Sequence, residues 1–402
     1  MIGFPRLEDW IVKNGYDNLK FHDYGMHNVF DMDDPEVPDY AKQNVEYTVD
    51  ISDPDNHVMK QELKPNKTRA DARRKLREEI IEKEKKEGTY DSRIDLNVLI
   101  IYIDNFSRPH FYRQLPKTVE YLEKYYQSEE DIEVLQFMRF HSAYYNTLRT
   151  NNGLYYGQVD FLEDDSTNVF DSFSRNGYMT GFFKDACQTH ANLFSPNKTF
   201  TLHRWDHRGG IISCDNNYSS KGRIPQLKYF SGKDSSLRRC LYGQEYHDVQ
   251  FDYATQFWEA YPNNRKFFRT HFSDNHEFLG ILVHYMDDSI VKFLENFRAK
   301  GYLNDTIVTF LSDHGVHPFS AHFTMIPDNS RAIEVYLPIL FHIVPKTIQP
   351  AYLNSLRSNE QSFISSYDVY ATLKTIAENK PGSASEAESY PYILQQVPKD
   401  HD

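Results

Sequence analysis

The chain has 402 residues, of which 40% are hydrophobic and 15% aromatic, so it can bury the core of one large α/β domain or two ordinary domains. Its formal net charge of −13 excludes a general binder of polyanions, because most of the surface would repel nucleic acid. No apolar run approaches the about 20 residues that a membrane-spanning helix needs, and charged residues interrupt the N-terminus where a signal peptide has its apolar core. The sequence therefore predicts a globular chain with neither feature.

The N-terminal part, residues 1–95, shows little apolar periodicity and is interpreted as an extension. Within it, TRADARRKLREEIIEKEKKEG (residues 68 to 88) predicts an exposed helix with salt bridges along its surface that is closed by Gly88. We divide the remainder into a main domain at residues 96–380 and a C-terminal tail at residues 381–402.

Strands and helices alternate from residue 97 onward. Strands are predicted at LNVLIIYID, near 133–141, at 306–312 and at 335–344, with helices near 115–125 and after residues 148, 248 and 277. Around YMDD, apolar residues at spacings of three and four predict an amphipathic helix whose Asp287 and Asp288 face solvent or make capping contacts. The alternation predicts an α/β fold with a mostly parallel central sheet and helices on both faces.

Two predicted strands end in residues of the types that commonly bind metals. VLIIYID ends in Asp104, and TIVTFLSDHG ends its apolar run with Asp313 and His314. Ligands of open parallel sheets bind at the carboxyl ends of the strands, where these side chains would meet. Carboxylates and imidazoles are ligands for zinc or manganese. Thr147, between a predicted strand and a predicted helix, is a candidate nucleophile whose hydroxyl a metal would activate.

Further candidates lie later in the chain. FFRTHFSDNHEF supplies Asp274 and His276 at the end of another apolar stretch, and VHPFSAHF supplies His317 and His322 after the SDHG motif. Taken alone, each has an ordinary structural interpretation: an aspartate at the end of a strand often caps a helix, and a histidine is more often a hydrogen-bonded residue than a ligand.

Five ordered motifs resemble the alkaline phosphatase superfamily, which includes sulfatases, nucleotide pyrophosphatases and phosphoethanolamine transferases. The similarity is strongest to its uncharacterised sulfatase-like ectodomain family, a domain of unknown function found in nematodes and insects. The motifs span roughly residues 97 to 375: IDNFSRPHFYRQLPKTVEYL, NTLRTNNGLYYG, NGYMTGFF, NDTIVTFLSDHG and SYDVYATL. The resemblance implies an alkaline phosphatase-like fold and makes residues 96–380 the catalytic domain.

The resemblance also implies residue roles. Thr147 would be the nucleophile and would share one metal site with Asp104, Asp313 and His314. A second metal site would use Asp274, His276 and His322, and the substrate would contact Lys184, His190 and Asn146.

Two departures from the related pattern stand out. Asp274 and His276 are two residues apart where two-metal relatives have a spacing of four, and Arg149 and Thr150 follow Thr147 where the related pattern has proline and asparagine.

Three functions stay open on the sequence. The first is a metal-dependent phosphoester hydrolase or phosphoryl transferase that uses a threonine nucleophile, with one or two ions of Zn²⁺, or of Mn²⁺ or Ca²⁺. Its substrate would be an anionic small molecule or a carbohydrate or lipid ester, not a nucleic acid. The second is a sulfatase, although no cysteine has the setting that true sulfatases oxidise and a threonine cannot replace it. The third is a non-catalytic extracellular binding module.

The resemblance and five NxS/T sequons favour an extracellular or secretory location.

Overall fold

A computed structural model describes residues 63–128, 130–158, 168–185, 205–209, 240–241, 244–276, 280–317, 321–384 and 388–398. The strands are β1 Asn97–Ile103, β2 Ile132–Gln136, β3 Met179–Lys184, β4 His207–Gly209, β5 Cys240–Leu241, β6 Gln244–Glu245, β7 Lys266–Phe272, β8 Thr306–Leu311 and β9 Leu340–Pro345. The α-helices are Lys67–Glu87, Arg108–Gln114, Pro116–Lys124, Thr147–Tyr156, Val169–Arg175, Tyr246–Ala260, Asp287–Ala299, Ala321–Met325, Arg331–Tyr336, Pro350–Ser358 and Ser366–Glu378. Among these described helices, none is long and apolar enough to cross a bilayer.

Seven strands form one sheet in the order β2-β9-β8-β1-β7-β3-β4. β1 pairs in parallel with β8 on one side and with β7 on the other, and β7 pairs in parallel with β3. β9 is antiparallel to both of its neighbours, β2 and β8. The predicted mostly parallel sheet is confirmed, and β1 lies at its centre.

Both faces of the sheet are covered by helices, and the β1 side chains alternate between the two buried apolar clusters that result. Leu99, Ile101 and Ile103 belong to one cluster, into which the helices Tyr246–Ala260 and Asp287–Ala299 also pack. Val98, Ile100 and Tyr102 belong to the other, together with residues of the helices Thr147–Tyr156 and Ser366–Glu378. This double coverage explains why LNVLIIYID is a continuous apolar run.

The strand predicted at residues 335–344 is wrong in its first half. Val335 and Tyr336 end the helix Arg331–Tyr336, and β9 begins at Leu340. Pro338 lies between the two elements and has no backbone N–H to give to a sheet ladder, so it separates them. The strand predicted near 133–141 is likewise shorter and ends at Gln136.

The charged helix Lys67–Glu87 ends at Gly88 as predicted, with Gly88 in the left-handed conformation (φ 71°). It is not a purely solvated element, because Arg77 and Glu84, seven residues apart, are buried. Arg77 pairs with Asp95 at 2.5 Å, and Glu84 pairs with Arg93. These pairs attach the helix to the segment that leads into β1.

The first family-like motif fixes the ends of two helices. Arg113 forms a 2.6 Å ion pair with the buried Glu334, and Ser107 donates a hydrogen bond to the same carboxylate. The buried Asp287 accepts from the backbone amides of Lys117 and Thr118 at 2.9 and 2.8 Å. Asp287 therefore makes the capping contact that the sequence analysis left open. The motif is in large part a structural anchor.

Candidate active site

Three acidic or imidazole side chains meet at the carboxyl edge of the central strands. Asp104 follows β1 directly, and Asp313 and His314 lie just beyond the end of β8. One ligand atom from each of the three residues lies within 4.8 Å of the other two. All three are buried, with exposed fractions of 5%, 0% and 0%. The parallel pairing of β1 with β8 brings together residues that are far apart in sequence.

The donor set fits a divalent cation. His314 places Nδ1 2.7 Å from the carbonyl oxygen of Gly315, which can only accept, so Nδ1 carries the proton and Nε2 presents a lone pair. That lone pair lies 3.3 Å from Asp313 Oδ2, a buried oxygen without a hydrogen-bond partner. Two acceptors facing each other in a buried site call for a positive ion between them.

Thr147 is the first residue of the helix Thr147–Tyr156, which Asn146 caps by accepting from the amide of Arg149 at 3.0 Å. Thr147 Oγ1 lies 3.3 Å from Asp104 Oδ1 and 3.2 Å from His314 Nε2. The nucleophile candidate is therefore within reach of the cluster, and it is partly exposed. The helix N-terminus adds a favourable potential for an anion beside it.

The two carboxylates of the cluster differ in their pKa values. Burial and the charge of Asp313 raise the pKa of Asp104 above its usual value. Burial also acts to raise the pKa of Asp313, but His314 and backbone hydrogen bonds outweigh it and lower that pKa. Two carboxylates this close oppose each other's ionisation, and a bound cation would relieve this.

A second pair of ionisable residues lies at the end of β3, which is separated from β1 by β7. Burial lowers the pKa of Lys184 to about 8, while the charges of Asp104 and Asp185 act to raise it. Burial and the charge of Asp274 raise the pKa of Asp185 to about 7, although Ser273 donates to Asp185 through its amide and its hydroxyl. With a pKa near 8, Lys184 is largely cationic at neutral pH.

The remaining predicted ligands lie around this edge. Asp274 is partly buried and its Oδ1 lies 3.1 Å from His247 Nδ1, so its carboxylate is engaged with the helix Tyr246–Ala260. The ring of His276 lies 6.2 Å from that of His317, which in turn lies 6.0 Å from that of His314. His322 is in the short helix Ala321–Met325, but its side chain is outside the described part, and His190 lies outside the described residues altogether. These ligand roles stay predictions.

Sequence reasoning missed two buried residues of β7. His271 Nε2 lies 3.2 Å from Asp104 Oδ2, and Arg269 contacts the other ring nitrogen of His271. Burial lowers the pKa of His271 well below its ordinary value. The available signal was the alternation within KFFRTHF, since Arg269 and His271 are two residues apart and lie on the same face of the strand.

Comparison with solved structures finds chains with a similar, alkaline phosphatase-like fold. The phosphonate monoester hydrolase SpPMH from Silicibacter pomeroyi is 13% identical and matches with a TM-score of 0.50, with 76% of this chain and 78% of that chain covered. The zinc complex of the C-terminal periplasmic domain of EcEptC from Escherichia coli is 12% identical (TM-score 0.49; 77% and 88% covered). The lipoteichoic acid synthase LtaP from Listeria monocytogenes is 14% identical (TM-score 0.47; 76% of each chain covered).

The chain itself belongs to the family described as "Protein of unknown function (DUF229)", whose model matches residues 37–391. No curated protein matches it. At these identities, the structural similarity establishes the fold alone.

Proposed function

We propose that this protein is a metal-dependent phosphoester hydrolase or phosphoryl transferase in which Thr147 is the nucleophile. The observation that carries the proposal is the position of the Thr147 hydroxyl, 3.3 Å from Asp104 Oδ1 and 3.2 Å from His314 Nε2, at the N-terminus of a ten-residue helix. A hydroxyl held between an anionic acceptor and a neutral imidazole nitrogen is oriented for deprotonation.

Asp104, Asp313, His314 and the Thr147 hydroxyl would hold one divalent cation, for which Zn²⁺ suits the mixed oxygen and nitrogen set. Bound there, the ion would lower the pKa of the hydroxyl and offset negative charge on the phosphoryl oxygens. Asp274, His276 and His317 lie around the same edge, and a second ion would take ligands from among them.

The surrounding residues favour an anionic substrate. Lys184 places a buried cation at the same edge, and Thr147 lies at the N-terminus of a helix, where the helix dipole favours negative charge. In the reaction, Thr147 Oγ1 would give up its proton and form a bond to phosphorus while the bond to the leaving group breaks, and the leaving oxygen would depart as an alcohol by taking up one proton. Water or an acceptor alcohol would then take the phosphoryl group from the threonine. Carbohydrate and lipid phosphoesters are the proposed substrate class.

Phosphate is preferred over sulfate because of the residue at the nucleophile position. Sulfatases of this superfamily need a cysteine or serine that is oxidised to an aldehyde hydrate, and a threonine cannot supply it. A sulfatase would therefore have to act through an ordinary alcohol. A higher turnover of aryl sulfate than of aryl phosphate by the wild-type protein would overturn this preference.

The test compares Thr147→Ala and Thr147→Ser for turnover of an aryl phosphate and an aryl phosphodiester by Zn²⁺-loaded protein. The alanine variant is expected to lose activity by about a thousandfold or more, the scale seen when a covalent nucleophile is removed. The serine variant keeps the hydroxyl and should retain measurable turnover. Thr150→Ala is the matched control, because the Thr150 hydroxyl donates to the Tyr144 carbonyl and not to the cluster. Undiminished activity in Thr147→Ala would refute the assignment.

A further inference from the structure

A chain of two hydrogen bonds runs from the interior of the sheet to the candidate metal ligand Asp104. Arg269 Nη2 lies 3.1 Å from His271 Nδ1, and His271 Nε2 lies 3.2 Å from Asp104 Oδ2. The three residues have exposed fractions of 0%, 0% and 5%. β1 and β7 pair in parallel, with Tyr102 opposite His271. The pairing of these two strands therefore positions the two hydrogen bonds.

The direction of this chain follows from the chemistry of arginine. A guanidinium group has only donors, so His271 Nδ1 must be the acceptor and must lack a proton. In a neutral ring the proton is then on Nε2, which donates to Asp104 Oδ2. That leaves Asp104 Oδ1, the oxygen 3.3 Å from the Thr147 hydroxyl, to face the site.

Arg269 occupies an energetically unfavourable position for any purely structural role. No carboxylate among the described residues pairs with it, and its guanidinium instead lies 4.0 Å from the ring centre of Tyr102, 4.8 Å from that of Tyr155 and 5.4 Å from that of Phe182. Aromatic faces compensate a buried cation only in part, whereas an apolar side chain of similar size would pack there without a desolvation cost. The residue therefore calls for a role outside packing.

We propose that Arg269 is a positioning residue for this site. It holds His271 in the tautomer that carries its proton on Nε2, and His271 in turn fixes the Asp104 carboxylate so that Oδ1 faces Thr147 and the cation. This inference rests on the proposed function, and its first test needs neither metal nor turnover.

That first test is the tautomer of His271, read from two-bond ¹H–¹⁵N correlations of the histidine rings in metal-free, ¹⁵N-labelled protein. The chain has 17 histidines, so the His271 signals are assigned by their loss in His271→Gln. We expect Nδ1 to show the shift of a nitrogen without a proton and Nε2 that of a protonated nitrogen. In Arg269→Leu, Asp104 still accepts from Nε2, so the preference should weaken and a fraction of the His271 rings should carry the proton on Nδ1. A wild-type His271 with its proton on Nδ1 would overturn the inference.

The second test is the affinity for Zn²⁺ alone, measured by competition with a chromophoric chelator. Removing a group that orients a metal ligand typically weakens binding by about 10-fold to 100-fold, which is the loss expected for Arg269→Leu. Arg269→Lys keeps a donor and should recover part of the affinity, and it also serves if the leucine variant does not fold. Phe182→Leu is the packing control, because Phe182 covers the guanidinium on the same face, and it should stay within about threefold of wild type.

The outcomes separate the two proposals. A wild-type protein that neither binds Zn²⁺ nor turns over phosphoesters refutes the proposed function, while the tautomer spectrum still decides the role of Arg269. If wild type binds Zn²⁺ and both Arg269 variants match it within about threefold, only the positioning role is refuted. A loss of affinity in Phe182→Leu equal to that in Arg269→Leu would also refute it, because packing alone would then explain the effect.

Discussion

Replacement of Asp104 by asparagine is expected to stabilise the metal-free protein while removing its metal affinity. Asp104 and Asp313 are buried, and their ligand atoms are no more than 4.8 Å apart. At an effective dielectric constant of about 20, two unit charges at that distance repel by about 3 kcal/mol. Attraction of Asp104 to Lys184 offsets part of this, so we expect a net gain of about 1 kcal/mol in the free energy of unfolding. The asparagine oxygen still accepts from His271.

The difference in the free energy of unfolding between Asp104→Asn and wild type should reverse its sign when metal is present. A cation at about 100 times its Kd adds about 2.7 kcal/mol to the stability of the wild-type protein and far less to that of the variant. The assay is urea unfolding of both proteins at pH 7.5, once in a chelator and once in excess Zn²⁺.

Asp95→Asn is the control with the opposite expectation. Asp95 pairs with Arg77 and Arg265, and these partners outweigh burial and lower its pKa to about 2. An aspartate whose pKa is lowered on folding contributes stability above its unfolded pKa, so Asp95→Asn should lose about 2 kcal/mol with or without metal. If Asp104→Asn were also less stable than wild type in chelator, the repulsion argument would be refuted.

Three further predictions concern the elements around the site. Burial lowers the pKa of His342 to about 3, so the unfolded chain binds a proton below about pH 6.5 that the folded chain does not. The free energy of unfolding should therefore fall by about 2 kcal/mol from pH 6.5 to 5.0. In His342→Leu, urea titrations should show a smaller fall over the same pH range. Asp287→Ala removes an acceptor from two backbone amides and the Thr118 hydroxyl and should lower the free energy of unfolding by about 2 to 4 kcal/mol. Asp288 is exposed, so Asp288→Ala should lower it by less than about 0.5 kcal/mol. Equal losses in the two variants would refute the capping role. Gly315→Ala would place its Cβ 1.8 Å from the Glu334 carbonyl oxygen and should cost about 1 to 3 kcal/mol, with loss of Zn²⁺ affinity through displacement of His314; unchanged stability and affinity would contradict this.

The sequence predicted the central strands and the site edge because local signals were strong there. β1 and β8 are continuous apolar runs that end in polar residues, and an open parallel sheet brings such ends together. The closure of the charged helix by Gly88 likewise follows from residue type. What the structure adds is that Asp104, Thr147, Asp313 and His314 lie within reach of one another.

The features that sequence reasoning missed depend on packing between distant segments. Arg269 and His271 lie on β7, and only the pairing of β7 with β1 brings His271 to Asp104. The engagement of Asp274 with His247 depends on where the helix Tyr246–Ala260 begins. The direction of β9 depends on a connection across the sheet, for which the residues of β9 carry no signal of their own.

The contacts of the site also constrain how the protein folds. Thr147 and His314 are 167 positions apart, as are Asp104 and His271, and the amide of Asn105 donates to Asp313 across 208 positions. Contacts between residues so far apart in sequence form late in folding, because closing the long loop between them has a large entropic cost. The site therefore assembles only when β7, β1 and β8 have paired. A nascent chain that ends before residue 306 lacks Asp313 and His314 and cannot complete the cluster. Acquisition of the metal would thus mark the end of folding and report that the central sheet is complete.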